Sequence, residues 1–391
     1  MELDYGLTEE QSMMREVARG IAEKRIRPVA AKYDEGHEFP WEIVKELAAS
    51  DLCGVYIPEA YGGSGGATPI MNMCVVVEEL SKACAGIALA FAATGLGSIP
   101  IILSGSDEQK KKYLPDIAAG RKLAAFAITE ANAGSDASAM ATTAVKDGES
   151  YVLNGTKQWI SNGEVAEVYT VLVMTDKAKG ARGASAFIVE KGTPGFTFGK
   201  KEDKLGIRAS STRELVFQDC RVPAGSLLGK PGRGFMIAMA TFDASRPGVA
   251  AQAVGIAAGA LDLAVKYACT RRQFGKPVAA NQGLGFLLAD MAIKVEAARA
   301  LTYAVARQVD KGGARPTKFS AMAKCFASDT AMQVATDAVQ VFGGYGYMRE
   351  YPIEKYMRDA KITQIYEGTN QIQRDEIARA LIKEAASGKD D

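Results

Sequence analysis

A single histidine, His37, serves the whole 391-residue chain. It sits in a polar stretch, Asp34-Glu35-Gly36-His37-Glu38, where a solvated role suits it better than a catalytic one. Ser-His-Asp and Cys-His nucleophilic chemistry and histidine-rich metal binding therefore lack their central residue. The six cysteines (53, 74, 84, 220, 269 and 325) include no C-x-x-C pair and no metal-ligand spacing. They read as reduced thiols in a reducing compartment. Charge of one sign is also missing: 47 basic against 46 acidic residues leave +1. Such a balance gives no field for nucleic acid or an anionic membrane, and a polyanionic ligand would have to be met by a local basic cluster. No G-x-G-x-x-G follows a strand to open a helix, which argues against a Rossmann nicotinamide enzyme. The chain opens with Glu2 and Asp4 and no apolar run behind basic residues, so neither a secretory signal nor an Arg-rich transit peptide is expected. The expected location is the cytoplasm, or the mitochondrial matrix if a transit peptide was removed. The apolar run at 85–103 carries Gly95, Gly97, Ser98 and Pro100; it reads as buried helices broken at those residues, with no membrane span expected.

Nearly half of the residues, 48%, are hydrophobic, enough for a substantial core in one large unit or two to three domains. Residues 1–120 read as helical, beginning at Thr8-Glu9-Glu10-Gln11, a capping-box spacing followed by Met14, Val17, Ala18 and Ile21 at helical intervals. From about 121 the period changes. Short β-branched or aromatic segments such as Val168–Met174, Ala186–Val189 and Glu214–Phe217 alternate with turns at Asn154-Gly155, Lys179-Gly180 and Pro194-Gly195. After Gly229-Lys230-Pro231-Gly232 the chain is Ala-rich and helical, with breaks at Phe274-Gly275 and Gly343-Gly344 and a frayed end expected at 388–391. Composition and period alone give an α+β chain of two or three domains.

Chemistry concentrates at Gln364-Ile365-Tyr366-Glu367-Gly368-Thr369-Asn370. One carboxylate lies between an apolar approach, Ile365 and Tyr366, and a glycine-led polar turn. A poorly hydrated flank raises a glutamate's pKa, as a general base for a weak carbon acid requires. The bland alternative is a surface glutamate beside a helix N-terminus. Further upstream, Phe126-Ala127-Ile128-Thr129 runs from a strand into a small-residue turn, Ala133-Gly134-Ser135, whose N–H groups and hydroxyls could meet a heteroatom-rich ring or a phosphate. Trp159-Ile160-Ser161 could simply be sheet wall, and Asp243 and Arg246, at i and i+3, a surface ion pair.

Taken together with Arg271-Arg272-Gln273-Phe274-Gly275 and Gln340-Val341-Phe342-Gly343-Gly344-Tyr345-Gly346, these motifs resemble, in order and over the full length, the acyl-CoA dehydrogenase family. The resemblance implies an N-terminal helical domain (1–120), a middle β-barrel domain (121–230) and a C-terminal four-helix bundle domain (231–391), with FAD where the three meet. It implies that Glu367 is the catalytic base. Its backbone N–H and a flavin ribityl hydroxyl would polarise the thioester carbonyl. Phe126, Ile128, Thr129, Gly134, Ser135, Trp159, Ile160 and Ser161 would lie on the flavin, with Ser135 also towards the CoA pyrophosphate. Asp243, Arg246, Tyr366 and Gly368 would contact the acyl-CoA. Arg271, Phe274, Gln282, Gln340, Val341, Gly343 and Gly344 would reach the FAD pyrophosphate and adenosine from a neighbouring subunit, and Thr369, Asn370 and Gln371 would touch the same pyrophosphate. A homotetramer and an electron-transferring flavoprotein as acceptor follow from the same likeness.

Two positions depart from common family patterns: Ala131, where many relatives carry a proline after the glutamate, and Ser245, near which some branches place their catalytic acid. Residues 195–206 look most like short-chain, butyryl-CoA-type members, and the uncharged stretch 85–95 argues against a dicarboxylyl thioester. A branched, cyclic or aryl acyl group, admitted by the many alanines of 85–95, and an acyl-CoA oxidase on the same fold are the alternatives.

Overall fold

A computed structural model describes residues 3–313 and 316–387. The opening Glu2 and the fraying expected at 388–391 lie outside the described residues. The N-terminal part is helical as expected: α1 (Glu9–Ile21), α2 (Ala30–Gly36), α3 (Trp41–Ala49), α4 (Pro69–Ser104) and α5 (Asp107–Ala118). The Thr8/Gln11 capping box forms, and Ser106/Gln109 repeats it at the start of α5. His37 occupies the left-handed C-cap of α2.

The sequence expectation for 85–103 needs correction. Gly95, Gly97, Ser98 and Pro100 do not break the chain; α4 runs through all four, and its one non-helical residue is Cys84 (φ −163°, ψ 110°). The glycines serve packing instead. A Cβ on Gly97 would stand 2.4 Å from the Ala125 nitrogen, so only glycine lets α4 come this close to the adjoining strand. Ser98 and Thr94 turn their hydroxyls back onto their own helix, at Thr94 O and Ala90 O.

Ten strands follow. Eight form one mixed sheet: β1 (Ala124–Ala127), β2 (Thr143–Asp147), β3 (Ser150–Ser161), β4 (Val168–Met174), β5 (Ala184–Glu190), β6 (Phe196–Lys201), β7 (Thr212–Pro223) and β8 (Leu227–Leu228). The order is β6-β7-β3-β2-β4-β5-β8, with β1 parallel to β4. Every residue of β4 is buried, which explains its largely apolar sequence. The long β3–β7 pair is antiparallel and its register shifts between Lys157 and Ile160, a bulge that re-aims Gln158 and Trp159.

The C-terminal part comprises α6 (Gly234–Thr270), α7 (Gln282–Asp310), α8 (Thr317–Phe342), α9 (Ile353–Thr363) and α10 (Asn370–Ala386), with a two-strand ribbon, β9 (Arg272–Gln273) and β10 (Lys276–Pro277), between α6 and α7. Helix α8 packs on α6, α7, α9 and α10, and α6 packs along α4. Both α4 and α6 are long and apolar enough to cross a membrane. In each, however, 78% of the most apolar stretch is buried inside the fold, as in a core helix.

Candidate active site

A cleft of about 590 Å³ opens where α4, the β1 and β3 ends of the sheet, α6 and the α9–α10 turn converge. Glu367 stands in that turn at φ 52°, a left-handed conformation unusual for a side-chain-bearing residue, and Gly368 follows at φ 88°. A Cβ on Gly368 would come 2.7 Å from Gln373 Nε2, so glycine is required by both conformation and space. The two carbonyls of this turn are held from behind. Glu367 O accepts from Gln373 Nε2 (3.1 Å) and Arg246 Nε (3.4 Å). Gly368 O accepts from Gln373 Nε2 (2.8 Å) and Lys324 Nζ (2.8 Å). On the cleft side, the Ser245 hydroxyl donates to Glu367 Oε2.

Burial pushes Glu367 above the ordinary carboxylate pKa, against the opposing pull of the Ser245 hydroxyl and of the Arg246 and Lys324 cations. The raised direction matches the sequence reading, but its source differs in part. Ile365 is 47% exposed and supplies no apolar flank. Tyr366 does line the cleft, its hydroxyl donating to the buried Gln252.

The opposite wall comes from the sheet. Phe126, Ile128, Thr129, Gly134, Ser135, Trp159, Ile160 and Ser161 all line the cleft. Trp159, at φ 58° on the β3 bulge, is 55% exposed, so it is not a packed wall tryptophan. The loop after β1 is fixed without a proline: Glu130 and Ala133 exchange two backbone hydrogen bonds (3.2 and 3.0 Å). Glu130 also accepts from the main chain of Ala141 and Thr142 and from the buried Lys157 (2.6, 3.0 and 2.7 Å). The hydroxyls of Thr129, Ser135, Ser138 and Ser161 and a half-exposed indole are a donor set that suits a flat, heteroatom-rich ring such as isoalloxazine. The far end of the cleft is apolar and uncharged, with Met73, Val77, Leu89, Ala92, Ala93, Leu96 and Val249 beside Gln252.

Not every expected residue reaches the cleft. Asp243 is buried between α6 and α8, accepting from Thr317 Oγ1 (2.9 Å), and is not among the residues that line the cleft. Arg246 does line it. Asn370 points inward, donating to Asp329 and Ser328 and accepting from Lys324 (2.7, 2.8 and 2.9 Å). Its amide is thus engaged inside the protein. Thr369 caps α10 by accepting from Ile372 N, and Gln371 is exposed beside it.

Arg271, Phe274, Gln282, Gln340, Val341, Gly343 and Gly344 gather elsewhere. Arg271 follows the far end of α6, about 25 residues or roughly 37 Å of helix beyond Arg246. There its guanidinium lies over the Tyr345 ring (5.0 Å), and Phe274 is 97% exposed. Gln340 O accepts from Gly343 N at the end of α8.

Sequence reasoning missed Lys324, Gln373 and Gln252. Lys324 had a readable signal: Ser320, Lys324, Ala327, Ser328 and Ala331 recur at helical spacing on the buried stripe of α8.

Family models for the acyl-CoA dehydrogenase N-terminal, middle and C-terminal domains match residues 8–121, 125–220 and 232–382. Acryloyl-CoA reductase (NADH) of Anaerotignum propionicum is 50% identical over 384 residues, covering 97% of this chain and 96% of that one. The structure of butyryl-CoA dehydrogenase from Megasphaera elsdenii matches with a TM-score of 0.94 at 48% identity, over 97% of this chain and 100% of that one. A structure described as "Electron transferring flavoprotein of Acidaminococcus fermentans: Towards a mechanism of flavin-based electron bifurcation" matches with a TM-score of 0.94 at 51% identity and the same coverage. Three domain matches in sequence order and two superposable structures, over a cleft with a half-buried glutamate facing an aromatic, hydroxyl-bearing wall, lead to one conclusion: this chain belongs to the acyl-CoA dehydrogenase family.

Proposed function

We propose that the chain desaturates a short-chain acyl-CoA between C2 and C3, with Glu367 as the base that removes the C2 proton. The observation that carries this reading is the left-handed Glu367–Gly368 turn. It delivers a carboxylate of raised proton affinity into a cleft whose opposite wall suits a flavin. Acyl-CoA dehydrogenases are FAD enzymes; when bound, FAD supplies the acceptor for the hydride leaving C3. Phe126, Ile128, Thr129, Trp159, Ile160 and Ser161 would hold its ring. Glu367 takes the proton, and its main-chain N–H serves the charge that develops on the thioester oxygen, a type of contact typically contributing roughly 3 kcal/mol. Tyr366 and the apolar far end of the cleft exclude water from the acyl group. Arg246 and Arg379, both on the same cleft, are cations available to the CoA arm.

The three blocks 1–120, 121–230 and 231–391 act as domains around this cleft. Exposed Phe274 and half-buried Arg271, far from the cleft of their own chain, support an oligomer in which they complete a neighbour's FAD site. The match to the Acidaminococcus structure supports an electron-transferring flavoprotein as the acceptor. Reduced cysteines and the bacterial relatives support a cytoplasmic location. The uncharged far end supports a short, straight acyl chain over a dicarboxylyl one, while Leu89, Ala92 and Ala93 make room for a branched or cyclic group the second choice. The acryloyl-CoA reductase relative favours a second reading of direction, in which the same groups run enoyl-CoA reduction.

Anaerobic titration of the purified flavoprotein tests the proposal. Butyryl-CoA is expected to bleach the flavin, and an added electron-transferring flavoprotein to restore its colour. Bleaching by cyclohexanoyl- or phenylpropanoyl-CoA but not by butyryl-CoA would overturn the short-chain assignment.

A further inference from the structure

Lys324 is fully buried in α8, yet both of its hydrogen-bond acceptors are neutral oxygens: Gly368 O at 2.8 Å and Asn370 Oδ1 at 2.9 Å. A lysine ammonium is costly to remove from water, and a core position this apolar is rarely given to one without a compensating gain. The two acceptors lie on either side of Thr369, directly after Glu367. Asn370 passes the anchor on: it also meets Ser328 and Asp329, and Asp329 in turn accepts from Gln364 (2.6 Å) at the other end of the same turn. The segment 364–370 is therefore tied to α8 at both ends, with Lys324 at its centre.

We infer that Lys324 is a positioning residue for proton abstraction: from behind the turn it fixes the Gly368 carbonyl and the Asn370 amide, and so holds the left-handed Glu367–Gly368 conformation that aims the carboxylate into the cleft. The inference rests on the reading of Glu367 as the base. Two effects follow from one contact. The first is geometric, since a turn at positive φ persists only when its surroundings over-determine it. The second is electrostatic. The charged groups around Lys324 are Glu367 on the turn, Arg246 on α6 and Asp329 on its own helix, with the neutral thiol of Cys325 beside it; Arg374 on α10 pairs with Asp329. Burial pushes Lys324 down to about 8, against the attraction of Glu367. The same attraction favours the ionised carboxylate, opposing the burial that raises Glu367. Removing the cation should therefore move the Glu367 pKa up, and with it the acid limb of the rate profile.

The test compares wild type, Lys324→Gln, Lys324→Met and Glu367→Gln as purified holoenzymes. Measured are flavin content, Tm, anaerobic incorporation of solvent deuterium at C2 of butyryl-CoA, and kcat/KM against pH. Glutamine keeps a donor and loses the charge; methionine loses both. C2 exchange per bound flavin should fall from wild type to Gln to Met, with the Met variant down roughly 10²-fold, the scale of a misplaced reacting group. In both variants the acid limb should move to higher pH while flavin content stays near stoichiometric. If the Met variant does not fold, the Gln variant decides: an unmoved acid limb at wild-type exchange overturns the inference. So does a loss of Tm and flavin with unchanged exchange per flavin, which would make Lys324 a packing residue. Retained exchange in Glu367→Gln would overturn the base assignment itself; loss there with normal exchange in both Lys324 variants would overturn the Lys324 inference alone.

Discussion

Ser245 and Glu367 are far apart in sequence, yet one hydroxyl hydrogen joins them. Ser245 stands near where some branches of the family carry their acid, so both positions address the same point of the cleft. In this chain the serine cannot take the proton; it can set how tightly Glu367 holds one. Its O–H donates to the carboxylate and so favours the ionised form. In Ser245→Ala the Glu367 pKa should rise, so the acid limb of kcat/KM should move to higher pH while the rate well above the limb recovers. An unmoved limb would show that the contact does not govern the base. The glutamate itself was legible because Tyr-Glu-Gly-Thr is contiguous. Lys324, Gln373 and Gln252 were not, because a residue that acts by reaching across from another helix leaves no local pattern beyond its place on a buried stripe.

At the scale of elements, the order helix, strand, helix was readable from the change of hydrophobic period. The continuity of α4 was not. Glycine, serine and proline at 95–100 look like breakers, yet Gly97 is there to let β1 approach. Local chemistry gives way to packing at such a contact. The consequence for function is direct, since β1 carries Phe126 and leads into Ile128 and Thr129 on the cleft wall. Gly97→Ala should destabilise by about 1–3 kcal/mol through overpacking, read as a lower Tm, and should weaken flavin retention with it. Gly20→Ala, in α1 with open space around its Cβ, should leave Tm equal or raise it, as helix propensity favours alanine by roughly 1 kcal/mol. Equal effects from the two substitutions would contradict this account of Gly97.

For the whole molecule, most of the expected site residues fall into two groups separated along α6. The first lines one cleft; the second surrounds Arg271, Phe274 and Gln340 at the far end of the bundle. A sequence cannot say whether distant motifs meet within one chain or across two. Their separation here is the reason to expect an oligomer, since Arg271 would meet phosphate oxygens bidentately only in a neighbour. Arg271→Ala should lose FAD on dialysis while chemistry per remaining flavin stays near wild type. Unchanged flavin content, or a FAD-replete monomer in sedimentation, would contradict that arrangement. The central claim, that Glu367 removes the C2 proton, is tested most directly by turnover of butyryl-CoA in purified Glu367→Gln with its flavin content measured alongside. The predicted result is a folded, FAD-bound protein whose turnover falls about 10²- to 10⁴-fold, because an amide cannot accept the proton. Near-wild-type turnover in that variant would contradict the account.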